Sequence, residues 1–106
     1  MTEDTDANAL FQSIVETFSS HQDVSIGKML KAEALQVGGK SFAYPTEDAI
    51  VFKLPKSTVD ELQDEGLAVR LVVGKREMKE WVVVSASEED ICKRLAEQSY
   101  QFVGKV

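Results

Sequence analysis

The stretch KMLKAEALQVGGKSFAY, Lys28–Tyr44, decides how this chain folds. Met, Leu, Lys, Ala and Glu all favour helix, so residues 28–37 pass for a helix on propensity alone. Gly38–Gly39 points the other way. A glycine pair between two short apolar runs signals a hairpin, because the tightest hairpin turns need positive φ at their centre. Residues 28–37 and 40–44 therefore read as two antiparallel strands. That choice commits the neighbouring segments to a sheet.

Towards the C-terminus, YPTED (residues 44–48) is a turn, with Pro45 and Asp48 as punctuation. Ile50–Leu54 is a third strand, with Ile50, Phe52 and Leu54 on one face and Val51 and Lys53 on the other. Pro55 then opens a short helix. Ser57 or Thr58 offers an N-cap, and Thr58-x-x-Glu61 has capping-box spacing. Val59 and Leu62 face inward, and Gly66 supplies the stop. Two strands follow. In the first, Leu67, Val69, Leu71 and Val73 alternate with Ala68, Arg70 and Val72. The second runs from about Glu80 to Val84, and its WVVV reads as a strand buried on both faces. GKREMK, residues 74–79, is the loop between them. Ser87-x-x-Asp90 begins a last helix with acids in its first turn, where the macrodipole favours them. Its inner stripe is Ile91, Cys92, Leu95, Ala96, Ser99, Phe102 and Val103.

Towards the N-terminus, Ala7, Leu10, Phe11, Ile14, Val15 and Phe18 follow the helical i, i+3, i+4, i+7 pattern. SSHQD ends that helix near Ser20. Thr5 or Asp6 is the candidate N-cap, and residues 1–6 are expected to be disordered. The order is α-β-β-β-α-β-β-α. It predicts an α+β fold: a mainly antiparallel sheet of about five strands with helices packed on one face.

Composition fits one domain over residues 1–106, long enough to bury a single core. The net charge of −6 repels phosphate backbones on average, so strong nucleic-acid binding is not expected. Cys92 is the sole cysteine, which leaves no internal disulfide. The polar, acidic start MTEDTDANAL lacks the basic and apolar segments of a signal peptide. No apolar run approaches the about 18 residues of a membrane span. A cytoplasmic protein is the expectation.

Several motifs resemble the N-terminal domain of TfoX/Sxy proteins, which is similar in fold to the MmcQ/YjbR proteins. They are GKML at 27–30, LQVGGKSFAY at 35–44, IVFKLP at 50–55, MKEWVVV at 78–84 and the acidic C-terminal helix, so the likeness spans roughly residues 25–103. The family often carries Met-Phe-Gly-Gly where this chain has Met29-Leu30-Lys31-Ala32. The competence regulators of the family carry a second, C-terminal domain that these residues do not include. The resemblance implies a cytoplasmic bacterial domain with a regulatory or interaction role and no catalytic motif.

The residues themselves suggest little chemistry. Cys92 lies on an apolar helical stripe, where a free cysteine packs as a small hydrophobe. His21, the only histidine, reads as a surface residue beyond a helix end. The acids of SEEDI and DELQDE lack calcium-loop spacing and read as solvated helix faces. VGGK and VGK lack the long glycine-rich loop that cradles a phosphate. No catalytic residue, metal ligand or cofactor is expected. The best candidate surface is Arg76, Met78, Lys79 and Trp81, a basic cluster with apolar area on an acidic chain. Trp and Arg are enriched where protein partners bind tightly. A protein partner or a second copy is the implied occupant. The alternative is a small-ligand domain or enzyme with a pocket between the sheet and the terminal helices.

Overall fold

The computed structural model describes residues 7–29, 32–46 and 48–104. The expected N-cap at Thr5 or Asp6 and the expected disorder of 1–6 lie outside these residues, as do Leu30, Lys31 and Glu47. The elements are α1 (Ala7–Thr17), β1 (Val24–Met29), β2 (Ala32–Val37), β3 (Lys40–Pro45), β4 (Ala49–Lys53), α2 (Lys56–Glu65), β5 (Val69–Val73), β6 (Arg76–Ser85) and α3 (Glu89–Gly104). All pairings are antiparallel, in one six-stranded sheet of order β1-β2-β3-β4-β6-β5.

The α+β architecture matches the expectation, with one strand more than expected. Residues 28–37 are not one strand. Lys28 and Met29 end β1, and Ala32–Val37 form β2, paired in register from Val24↔Val37 to Met29↔Ala32. VSIGKM carries almost no alternating apolar signal because β1 is an edge strand whose Ile26 is 46% exposed. The hairpin read at Gly38–Gly39 is present. Their φ values of 59° and 83° are the left-handed pair that a two-residue turn needs, and Val37 faces Lys40 across it.

One side of the sheet carries all three helices. Phe11 and Ile14 of α1, Val59 and Leu62 of α2, and Cys92, Leu95 and Val103 of α3 join Ile50, Phe52, Val82 and Val84 of the sheet in one buried cluster. Period-2 alternation in β4 and β6 puts these sheet residues on a single face. Beside Leu35 the register slips, so Phe42 is the extra residue of a bulge, and both Phe42 and Ala43 enter the core.

α2 begins differently from its sequence signal. Lys56 is its first residue and Pro55 its N-cap, with no side-chain cap, so Ser57 and Thr58 lie inside the first turn and no capping box forms. Proline is favoured at a helix start, where its missing N–H costs nothing. Gly66 ends the helix at φ 74°, with its N–H on Gln63 O at 3.1 Å and that of Leu67 on Leu62 O at 3.0 Å.

β5 also departs from expectation. Ala68 is buried, whereas Val69, Val72 and Val73 are more than half exposed. Arg70 turns towards α2 and pairs with Asp60. β5 is the other edge of the sheet, so only its helix-facing side meets the core.

Candidate functional site

Most of the segment read as a loop is strand. Only Gly74 and Lys75 make the turn, and β6 starts at Arg76. β4 pairs with β6 only as far as Lys53↔Trp81, with a further bond from Leu54 N–H to Glu80 O at 2.9 Å. Arg76–Lys79 therefore projects beyond β4 as an arm paired to β5 alone. The β5–β6 register breaks within it. Arg70 faces Val82 and Val72 faces Glu77, so residues 78–81 stand opposite Leu71 alone. Irregularities of this kind bend a strand and re-aim its side chains. Met78, Lys79 and Trp81 sit on this stretch, and Arg76 lies two residues before it, facing Val73.

The arm forms one wall of a groove of about 580 Å³, lined by Arg76, Met78, Lys79 and Trp81 together with Lys53, Lys56, Glu77 and Glu80. All four residues singled out in the sequence thus share one surface. Lys53 and Lys56 join them because β4 ends, and α2 begins, beside the arm. Nothing in the spacing of Lys53 and Lys56 signals this, since the juxtaposition comes from sheet order. Lys56 Nζ donates to Asp60 at 3.0 Å, and Asp60 also accepts from Arg70. Lys56 first, and Arg70 with it, hold the Asp60 carboxyl below the usual carboxylate range.

Trp81 is half-buried on the sheet face away from the helices, as its alternation with buried Val82 requires. Its ring lies 5.9 Å from that of Tyr44, and Lys53 Nζ lies 5.6 Å from its centroid. Across that face Tyr44, Val51, Val83 and Val69 form one cross-strand row. Val51 is fully buried in it, and Val83 is half-buried. WVVV is not buried on both faces as expected: Val82 and Val84, on the helix side, are buried, whereas Trp81 and Val83 on the other face are half-buried.

Among the described residues, α1 and α3 pack their apolar faces on the sheet in the buried cluster. A cleft does open at the end of the sheet, against the last turn of α3. There β3 and β4 pair from Ala43↔Phe52 to Pro45↔Ile50 and separate towards Lys40 and Lys53. Ser99 of α3, fully buried, sits where they part, with Oγ 2.7 Å from Phe42 O and 2.5 Å from Lys53 O. The sequence stripe places Ser99 inward but does not show that it joins two strands.

His21 is not a plain surface residue. Its ring is 5.0 Å from both Phe18 and Tyr100, in an aromatic cluster that includes Phe42, and its buried Nδ1 has no hydrogen-bond partner among the described residues. Cys92 is buried with Sγ 3.5 Å from Ser85 O. Burial, and then the charges of Glu88 and Glu89, push its thiol up to about 12. Glu88, Glu89 and Asp90 are exposed at the start of α3. Among the described residues, no group of three His, Cys, Asp or Glu side chains is placed to hold a metal ion. None of their helices is long and apolar enough to cross a membrane.

No protein-family model, curated protein or solved structure significantly matches this chain. The likeness to the TfoX/Sxy N-terminal domain therefore rests on the motifs quoted above.

Proposed function

We propose that this chain is a non-enzymatic interaction module, TfoX/Sxy-like in its regulatory character, that docks an acidic protein surface in the groove beside the β6 arm. The observation that carries this reading is the convergence of Arg76, Met78, Lys79 and Trp81 with Lys53 and Lys56 on one groove of a chain with net charge −6. Exposed ion pairs contribute about 0–1 kcal/mol each, so charge steers the encounter and does not hold it. The apolar area of Met78 and Trp81 supplies the larger part of the affinity.

Another copy of the chain offers such an acidic surface. Ala86 N–H bonds Asp48 O at 2.9 Å, which places Asp48 beside the start of α3 and its Glu88, Glu89 and Asp90. The arm begins β6 and Ser85 ends it, so at strand rise Lys79 lies about 20 Å and Arg76 about 30 Å from that end. Copies meeting basic end to acidic end make a head-to-tail contact, which closes as a ring or grows as a filament.

The test is Arg76→Glu with Met78→Ala, followed by sedimentation velocity over rising protein concentration at low and high salt. The wild type is expected to associate reversibly, more weakly in salt, and the double variant to lose association with its melting temperature unchanged. A wild-type chain that stays monomeric throughout overturns docking between copies. Loss of folding in the variant would mean that the arm is structural.

A further inference from the structure

We propose that the cleft at the end of the sheet, between β3, β4, β6 and α3, binds a small monocarboxylate with an apolar tail. It encloses about 470 Å³, within the range of small-molecule sites. Its polar wall carries Lys40, Ser41, Lys53 and Glu80, and its apolar wall carries Trp81, Phe102 and Val103. The two walls exist because β3 and β4 part here, which exposes the last turn of α3 between strand ends that would otherwise pair.

The polar wall selects the charge of the ligand. Two lysines against one glutamate leave one net positive charge, which suits a monoanion, and Glu80 repels a second negative charge. Among the described residues Lys53 has no carboxylate partner, and its ammonium lies over the Trp81 ring. It is available to an incoming anion without first breaking an ion pair. Ser41 Oγ accepts from Gln36 Nε2 at 3.3 Å, which leaves its own hydrogen to donate to a carboxylate oxygen. The apolar wall is contiguous with the core at Val103, and Phe102 packs against that core while staying partly exposed. A hydrocarbon tail lying there removes that surface from water. The cleft shares Lys53, Glu80 and Trp81 with the docking groove but not Arg76, Met78 or Lys79, so Arg76→Glu with Met78→Ala should leave octanoate binding in place.

Trp81, the only tryptophan, reports occupancy directly through its fluorescence. Octanoate is titrated as the probe, with octan-1-ol and octylamine as neutral and cationic controls of the same tail length. The expected result is a saturable change in Trp81 emission with octanoate alone, with a midpoint of about 1 mM or below. Lys40→Met, an exposed change that leaves melting unaltered, should weaken octanoate about tenfold, as loss of a charge-assisted contact does. Lys93→Met, on the exposed side of α3, should change nothing. Octan-1-ol binding as well as octanoate would overturn the proposal, because recognition would then be apolar only. Full affinity in Lys40→Met would also overturn it, as would a linear, unsaturated response to octanoate.

Discussion

Ser99→Ala tests whether the parting of β3 and β4 is held by one hydroxyl. Ser99 Oγ lies 2.7 Å from Phe42 O and 2.5 Å from Lys53 O, and the residue is fully buried. A hydroxyl has one hydrogen, so it donates to one carbonyl at a time while its dipole faces both. Neither carbonyl belongs to the paired stretch of β3 and β4, which runs from Ala43↔Phe52 to Pro45↔Ile50. Alanine removes the donor and leaves a buried acceptor unsatisfied, a loss of ~1–3 kcal/mol. At about 2 kcal/mol a domain of this size melts roughly 8–16 °C lower. Urea unfolding followed by Trp81 fluorescence and far-ultraviolet circular dichroism measures the change. The control is Ser87→Ala, whose hydroxyl is exposed and meets only Ser85. Its midpoint should stay near that of the wild type. A Ser99→Ala midpoint equal to the wild type would refute the reasoning, since the strands would then part without help from α3.

Phe11→Ala should cost ~3–5 kcal/mol, because its ring is fully buried where α1 meets the sheet; an unmoved denaturation midpoint would mean that α1 is not docked. Cys92 should resist thiol reagents at pH 8 until the chain unfolds. Its raised folded-state pKa of about 12 gives the pH dependence a definite sign. Below the ordinary thiol range both states are protonated and the thiol adds no pH dependence. Above that range only the unfolded thiol ionises, so stability falls as pH rises towards about 12. Cys92→Ala should lose that component of the slope, and identical alkaline profiles for the two proteins would contradict it.

The elements that the sequence reveals are those with one wet face and one dry face. α1, α2 and α3 meet the core on one side, and their apolar residues repeat at the helical period, whereas β4 is buried on both faces as far as Phe52 and is marked by its unbroken AIVF run. β1 escapes because an edge strand has little to bury, so in VSIGKM only Val24 and Ile26 alternate and Ile26 is 46% exposed. β5 misleads for the same reason: it is rich in valine, yet its valines are exposed and its helix side is given to Ala68 and Arg70. The β6 arm hides behind its charges. REMK has the composition of a loop, and only pairing with Val72 and Val73 makes it strand. Arg76, Met78, Lys79 and Trp81 were visible as a candidate surface because they are neighbours in sequence. Lys40, Lys53, Lys56 and Phe102 were not, because strand order and the path of α3 bring them there.

The same topology sorts charge along the molecule, which the net value of −6 conceals. β4 ends at Lys53 beside the start of β6, so Lys53 joins Arg76 and Lys79. α2 begins at that end with Lys56 and runs to Asp64 and Glu65 at the other, where Gly66 approaches Asp48 and Ser85. β6 delivers the chain to Glu88, Glu89 and Asp90 at that same far end. The two ends stand about 15 Å apart along the ten residues of α2 and about 30 Å apart along the ten residues of β6, roughly two to four screening lengths of about 8 Å at physiological salt. The acidic end therefore does not cancel the field at the arm, and a ligand there responds to the local cations. Lys56 is already bound to Asp60, and Glu77 and Glu80 stand among the remaining cations, so the local excess is small. A short acidic segment fits inside that field. A polyphosphate long enough to gain from counterion release must extend beyond it, towards Asp48 and the acids of α3, and is repelled there. The pattern of charge, more than its total, favours an acidic protein surface over a nucleic acid at this site.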